Sequence, residues 1–137
     1  MNDRSTTFAD VAAGVGDAIA RYAQALDDGR TEDLVATFCP DGVVDMIGLG
    51  HCEGHAELRD AYAKVVPQRP QRHMITNTLI TDWNDEEATA ISDLVFVRQG
   101  DAGWAVQLVG RYDDTFHRHD GVWTVHRRTM TVVSSRS

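Results

Sequence analysis

Apolar residues recur every three or four positions near the start of the chain, which is the spacing of an amphipathic helix. The stripe consists of Phe8, Val11, Val15, Ile19, Tyr22, Ala23 and Leu26. A capping-box pattern from Thr7 to Asp10 precedes the stripe, and Gly29 follows it where a glycine commonly ends a helix. Two further helices are predicted at about 31–38 and 56–65, each followed by a proline that cannot continue it.

After Pro70 the hydrophobic period changes to about two residues, as it does in extended strands. Four such runs follow, at about 71–82, 87–98, 103–118 and 122–133. Turn-like segments separate the runs, so they predict an antiparallel meander, preceded by a short strand candidate at 43–46. Three helices followed by a meander predict an α+β fold with the helices on one face of the sheet. A strongly curved sheet of this kind would enclose a pocket.

The composition is that of an ordinary globular protein, with 42% hydrophobic and 25% charged residues, and 137 residues predict a single domain over 1–137. A formal net charge of -8 argues against nucleic acid and anionic membrane as partners, because like charges repel. The sequence contains no apolar run long enough to span a bilayer and no secretory signal, so we expect a cytoplasmic protein. Cys39 and Cys52 are expected to be free thiols.

An acidic pair ends the first helix, and the helical angle separates its two members. At about 100° per residue, Asp28 falls almost opposite the apolar stripe, whereas Asp27 falls on its flank. A carboxylate at the edge of a core is costly unless it is paired or hydrogen-bonded. Asp27 is therefore either a boundary charge or a functional carboxylate, and a histidine elsewhere in the chain favours the functional interpretation.

That histidine opens the first long strand. By two-residue alternation, His73 shares a face with Ile75, Asn77 and Leu79. A lone histidine on such a face is usually a hydrogen-bonded core residue, but the Asn77 amide beside it favours a chemical role. If Asp27 contacts one imidazole nitrogen of His73, the other nitrogen is left free as a general base.

Other polar residues leave alternatives open. Tyr22 could donate a hydrogen bond to a substrate, or it could be only an aromatic member of the core stripe. Asp93 and Arg128 stand among apolar neighbours and could form a buried ion pair, a substrate clamp or charges at a sheet edge. Histidines and a cysteine within 51–55 imitate the spacing of metal ligands, but no fixed helix or strand presents them together, so we predict no metal site.

Three phrases of the sequence together resemble the SnoaL-like superfamily, which shares the cone-shaped fold of nuclear transport factor 2. They are the helix phrase at 21–29, the strand phrase at 73–77, and the closing hairpin at 111–114 and 120–123. The resemblance covers nearly the whole chain. It implies a cone-shaped, curved antiparallel sheet that encloses a pocket together with three N-terminal helices. The most similar branch contains scytalone dehydratase, bile-acid 7α-dehydratase and lindane dehydrochlorinase; ketosteroid isomerase and polyketide cyclases are other members.

Within that branch the Asp–His dyad falls on Asp27 and His73, and a functional tyrosine falls on Tyr22. The resemblance therefore implies β-elimination, in which His73 removes a proton next to a leaving group and Asp27 holds the imidazole. The second histidine of scytalone dehydratase has no counterpart here, so a departing hydroxyl would need another acid, for which Tyr22 is the candidate. Substrate-binding roles are expected for Asn77, Asp93, Tyr112 and Arg128.

Three functions remain open from the sequence. The first is a cofactor-independent lyase, of dehydratase or dehydrohalogenase type, that acts on a small hydrophobic ring compound. The second is an isomerase or polyketide cyclase that uses the same base. The third is a small-molecule binding protein without catalysis. All three require a small hydrophobic partner and no cofactor, and the resemblance implies a homodimer.

Overall fold

The computed structural model describes residues 6–136, which fold into three helices and six strands. The helices are α1 (Phe8–Asp27), α2 (Thr31–Val35) and α3 (Gly54–Ala63). The strands are β1 (Phe38–Met46), β2 (Gly50–Glu53), β3 (Gln71–Trp83), β4 (Glu87–Gly100), β5 (Gly103–His119) and β6 (Val122–Ser135). The predicted capping box at Thr7 is confirmed. The Thr7 side chain accepts a hydrogen bond from the Asp10 backbone N–H, and the Thr7 backbone N–H donates to the Asp10 carboxylate.

The six strands form one curved sheet that does not close, with the helices packed on one side, which confirms the α+β prediction. The strand order is β2-β1-β6-β5-β4-β3, and β3 to β6 make the predicted antiparallel meander. Among the described strands one pair departs from the antiparallel arrangement, because β1 runs parallel to β6. Only strands joined by a tight turn must be antiparallel, and β1 and β6 lie far apart in the chain.

The start of the sheet also differs from the prediction. Phe38 was expected to end the second helix, but α2 stops at Val35 and Phe38 begins β1, where it pairs with Val125. This pairing across the chain outweighs the weak helical preference of a short segment. The glycine-rich segment after β1 includes the short strand β2, which pairs antiparallel with β1.

The apolar stripe of α1 faces the sheet and forms the centre of the core. Val11 and Val15 are fully buried, and Tyr22 is 1% exposed. Helix and sheet approach closely at Gly14, where an added Cβ would lie 2.2 Å from Cδ1 of Trp123. Phe8 is the exception to the predicted stripe, since it is 53% exposed at the first turn of the helix.

Both cysteines are free thiols, as predicted, and both are buried. Burial raises the pKa of Cys39 and Cys52, which keeps these thiols protonated and unreactive at neutral pH. No helix within residues 6–136 is long and apolar enough to cross a membrane.

Candidate active site

The carboxylate of Asp27 lies where α1 ends. Gly29 has a φ of +70°, a left-handed conformation that glycine adopts without strain and that turns the chain away from the helix axis. The predicted difference between the two acidic residues is confirmed. The Asp27 side chain is 5% exposed and the Asp28 side chain is 52% exposed.

Three N–H groups from the start of β3 surround this carboxylate. The His73 ring donates from Nδ1 to Oδ1 of Asp27 at 2.6 Å, and the His73 backbone N–H donates to Oδ2 at 2.7 Å. The Gln71 side-chain amide donates to Oδ1 at 3.2 Å. Asp27 and His73, which are 46 residues apart, are therefore joined by two short hydrogen bonds.

These donors decide the charge of Asp27. Burial alone would raise the pKa of Asp27, and a helix C-terminus also disfavours a negative group. The hydrogen bonds from the His73 ring and backbone, the attraction to His73 and the Gln71 amide outweigh burial and hold the pKa below its ordinary value of 3.8. Asp27 is thus an ionised acceptor at neutral pH, so the His73 nitrogen that faces it, Nδ1, carries a proton.

The other imidazole nitrogen faces different surroundings. His73 lines a cavity, and its ring stacks on the Phe96 ring with centroids 4.3 Å apart. Nε2 of His73 makes no hydrogen bond to any residue within 6–136, so it is free to contact a ligand. Because the ring is held on one side by Asp27 and on a face by Phe96, its orientation is fixed before a ligand arrives.

The cavity has a volume of about 570 Å³, which suits a small-molecule ligand. Helices α1 and α3, the end of β1 with the turn that follows it, the loop after α3, and strands β3 to β6 supply its wall, which is mostly apolar. Apolar members of the wall include Leu26, Met46, Leu49, Val65, Val66, Leu94, Phe96, Leu108 and Met130. Tyr22, Tyr62 and Tyr112 are its phenol-bearing members.

The tyrosines pack around a buried cation. The Tyr22 and Tyr62 hydroxyl oxygens are hydrogen-bonded at 2.9 Å. The Arg128 guanidinium carbon lies 4.4 Å from the Tyr22 ring centroid and 4.0 Å from that of Tyr112. Arg128 also donates from Nε and Nη2 to the two carboxylate oxygens of Asp114, at 2.8 and 2.9 Å. Its Nη1 has no hydrogen-bond partner among the described residues, so aromatic rings take the place of part of its solvation.

Burial sets the protonation of this cluster. Burial, reinforced by the Tyr22 hydroxyl, raises the pKa values of Tyr62 and Tyr112 well above 10 although the charge of Arg128 opposes it. Burial would lower the pKa of Arg128, but the charge and hydrogen bonds of Asp114 outweigh it and raise that pKa further. Tyr62 and Tyr112 are therefore protonated hydroxyls near a permanent positive charge. Such hydroxyls can donate to an oxygen that develops negative charge.

The sequence profile of the SnoaL-like domain matches residues 9–129 of the chain. The chain belongs to the SnoaL-like domain family. An uncharacterized protein of Mycobacterium tuberculosis is 28% identical to this SnoaL-like domain over 113 residues, which cover 80% of this chain and 77% of that protein.

Solved structures agree with the fold of this SnoaL-like domain. An NTF2-like protein from Novosphingobium aromaticivorans with a cystatin-like fold has a TM-score of 0.80 and 21% identity, and the match covers 91% of this chain and 83% of that one. A candidate scytalone dehydratase from the same species also has a TM-score of 0.80, with 20% identity over 90% of this chain and 85% of that one. Both similarities establish the NTF2-like fold.

Two expected substrate-binding residues of the SnoaL-like domain lie away from the cavity wall. Asn77 is exposed and donates to Oδ2 of Asp93 at 2.9 Å, and Arg111 lies 3.5 Å from Oδ1 of the same carboxylate. The prediction that Asn77 and Leu79 share the face of His73 is wrong, because the strand pairing shifts between Thr76 and Leu79. Asn77 has a φ of +54° within this bulge, which resets the two-residue alternation.

The other expected residues divide between the wall and the layer behind it. Tyr22 and Tyr112 line the cavity together with His73, whereas Arg128 is fully buried behind the two tyrosines. Asp93 and Arg128 do not form the ion pair that was one of the alternatives, since Asp93 contacts Asn77 and Arg111 and Arg128 pairs with Asp114.

Three contributing residues of the SnoaL-like domain were missed in the sequence. Asp114 had a detectable signal, because it alternates with Tyr112 and Phe116 and so falls between two aromatic residues on one strand face. Tyr62 lies one helical turn after Leu58 on the buried face of α3, so the sequence pattern indicates only an ordinary core residue. Gln71 had no signal, since only the approach of α1 gives its amide a partner.

Metal ligation has little support in the described part of the chain. No group of three or more histidine, cysteine or acidic side chains within residues 6–136 could hold a metal ion. His51 instead hydrogen-bonds to Asp45 and Glu53, and Nε2 of His55 donates to the Phe38 carbonyl oxygen. The ligand-like spacing at 51–55 is thus explained by separate contacts.

Proposed function

We propose that the protein is a cofactor-independent lyase of dehydratase or dehydrohalogenase type that acts on a small hydrophobic ring compound. The observation that carries the proposal is the hydrogen bond between Asp27 and Nδ1 of His73, with the His73 ring in the wall of an apolar cavity. An imidazole whose Nδ1 proton is held by a carboxylate can direct Nε2 towards a substrate, which is the arrangement that a general base needs to remove a proton from carbon.

The proposed step is a β-elimination. Nε2 of His73 takes a proton from the carbon next to the one that bears the leaving group. The electrons of that C–H bond form the double bond, and the bond to the leaving group breaks. A hydroxyl leaves as water with a proton donated by Tyr22, and exchange with solvent returns the His73 proton to the phenol. A halide leaves without a proton, and His73 then releases its proton to water.

The tyrosine cluster also supports a second candidate, an isomerase or cyclase. Neutral hydroxyls of Tyr62 and Tyr112 above the Arg128 cation would stabilise an enolate, which is the intermediate of proton transfer beside a carbonyl. In this case His73 returns the proton to a different carbon and no group leaves. The two candidates share a base and differ in the fate of the substrate's oxygen or halogen.

The test is turnover of a panel of hydroxylated and halogenated ring compounds by wild type, His73→Ala and His119→Ala. His119 is a matched control because its side chain is 89% exposed at a hairpin turn. Loss of the general base should lower kcat/KM by about 10²- to 10⁴-fold, and the control should be unchanged. If no compound of the panel shows His73-dependent turnover, the proposed catalytic function is contradicted and a binding function remains. Product analysis, with deuterium incorporation in D₂O, separates elimination from isomerisation.

Tyr22→Phe tests the assignment of the acid. This variant should lower kcat/KM for hydroxylated substrates by about 10²-fold, because hydroxide is a poor leaving group without a proton. It should change turnover of halogenated substrates much less, since a halide needs no acid. Equal losses for the two substrate types would contradict an acid role for Tyr22.

A further inference from the structure

Two arginines lie between the cavity that contains His73 and a second groove. Arg69, which follows α3 in the chain, and Arg98, near the end of β4, line both spaces. The second groove has a volume of about 530 Å³ and adds Arg136 near the end of the chain. The two spaces therefore adjoin at Arg69 and Arg98, and together they give this cleft an apolar inner part and a basic outer part.

The outer part of the cleft is basic, although the chain as a whole carries a negative net charge. The whole sequence has 21 acidic and 13 basic residues. Within residues 6–136, however, the wall of the inner cavity contains Arg69 and Arg98 and no acidic residue, and the outer groove adds Arg136 and a single carboxylate, Asp101. A local positive potential at the mouth of an apolar cavity selects ligands that carry negative charge.

The arginine contacts leave their donors available. Arg69 donates from Nη1 to Asp101 at 2.9 Å, and the Asp101 side chain is 95% exposed. Arg98 makes a long hydrogen bond of 3.4 Å to Gln107, and its guanidinium carbon lies 5.8 Å from the Phe96 ring centroid. Since Phe96 also stacks on His73, Arg98 lies close to the reacting part of the cavity. Each guanidinium has five N–H donors, so most remain free to bind an anion.

We infer that Arg69 and Arg98 bind an anionic group, a carboxylate or a phosphate, on a ligand whose apolar ring occupies the inner cavity. This inference rests on the proposed site and specifies its substrate class as amphipathic acids. The ring enters the apolar part next to His73, and the anion stays at the mouth, where two guanidinium groups can bind it through paired hydrogen bonds. The protein then discriminates acids from neutral ring compounds before any chemistry occurs.

The test is calorimetric titration with 2-naphthoate and its neutral isostere 2-naphthamide, with 2-naphthyl phosphate as a second acid. Wild type should bind the acids at least about tenfold more tightly than the amide, which corresponds to a single charge-assisted contact. Arg69→Gln/Arg98→Gln should remove this preference and change amide binding by less than about twofold. The matched control is Arg21→Gln/Arg59→Gln, which removes the same charge from exposed ion pairs outside the cleft.

A third variant gives a change of opposite sign. Asp101→Asn removes the carboxylate that competes for Arg69 and should tighten binding of both acids without affecting the amide. Tighter binding of the phosphate than of naphthoate indicates a phosphate-bearing substrate, and the reverse indicates a free acid. The inference is overturned if wild type binds naphthoate no more tightly than the amide, or if it binds neither. It is also overturned if the double arginine variant weakens the binding of the acids and of the amide equally.

These binding measurements require no turnover. If acid selectivity is found but His73-dependent elimination is absent, the anion site stands and the proposed reaction fails. If elimination is found but selectivity is absent, the reaction stands and the anion site fails.

Discussion

Within residues 6–136, the carboxylates of Asp27 and Asp114 are both buried, and they accept hydrogen bonds from different donors. Asp27 accepts hydrogen bonds from one backbone N–H, one imidazole and one amide, all of which come from the start of β3. Asp114 accepts both of its hydrogen bonds from Arg128, and neither side chain has any exposed surface. The first arrangement leaves a histidine nitrogen free in the cavity, whereas the second provides a fixed charge behind the cavity wall.

The buried ion pair makes a prediction at the scale of single residues. Arg128→Met should destabilise the fold by about 3–5 kcal/mol, because Asp114 would remain buried without a partner. Arg128→Met/Asp114→Leu should be less destabilised than the single variant, since no unpaired charge remains. Chemical denaturation followed by circular dichroism measures both. A double variant that is at least as destabilised as Arg128→Met would contradict this account of the pair.

At the scale of elements, the position of α1 on the sheet decides whether the site can form. Asp27 is the last residue of a 20-residue helix, so a shift of α1 along its axis would separate the carboxylate from His73. The close approach of Gly14 to Trp123 fixes that position, because the indole ring occupies the space that a side chain would need. Trp123 itself is 6% exposed and has little room to move.

Two glycines on the same helix test this packing. Gly14→Ala should destabilise the protein by about 1–2 kcal/mol, because overpacking against Trp123 exceeds the helical gain from alanine. Gly16→Ala is the matched control, since nothing lies within 4 Å of its added Cβ, and it should stabilise the protein by about 0.5–1 kcal/mol. Thermal unfolding of both variants measures the difference. Equal stabilisation by the two substitutions would show that this contact does not limit the helix position.

At the scale of the whole molecule, the contact between Asp27 and His73 links the helical layer to the sheet, so its charge state affects global stability. The pKa of Asp27 is lower in the folded protein than its ordinary value of 3.8, which means that the unfolded chain binds the proton more tightly. The resulting stabilisation is fully present above that ordinary value. It is lost as the pH falls through the lower folded-state pKa.

Asp27→Asn measures this contribution. The amide keeps the shape of the carboxylate but does not titrate, so the variant should be less stable than wild type at pH 6. The difference between the two proteins should shrink as the pH falls below about 4. Urea midpoints measured from pH 6 to pH 3 give the comparison. A difference that stays constant over this range would contradict a lowered pKa of Asp27.

Local patterns in the chain were enough to predict most elements and to select Asp27 and His73 as candidates. The 3.6-residue period located α1 and placed Asp27 rather than Asp28 at the core, because both properties depend only on rotation about one helix. The two-residue period located β3 to β6 and placed His73 on the inner face. It failed after the bulge at Asn77, where one inserted residue exchanges the two faces.

The remaining features depend on contacts between segments that are distant in the chain. The parallel pairing of β1 with β6, the Arg128–Asp114 pair and the Tyr22–Tyr62 hydrogen bond each join different elements. Periodicity reports which face of an element is buried but not which partner it meets, since the partner is chosen by the packing of the whole core. The sequence therefore identified a carboxylate and a histidine as candidates. Only the tertiary structure brought Asp27 to Nδ1 of His73 and placed the His73 ring in the wall of an apolar cavity.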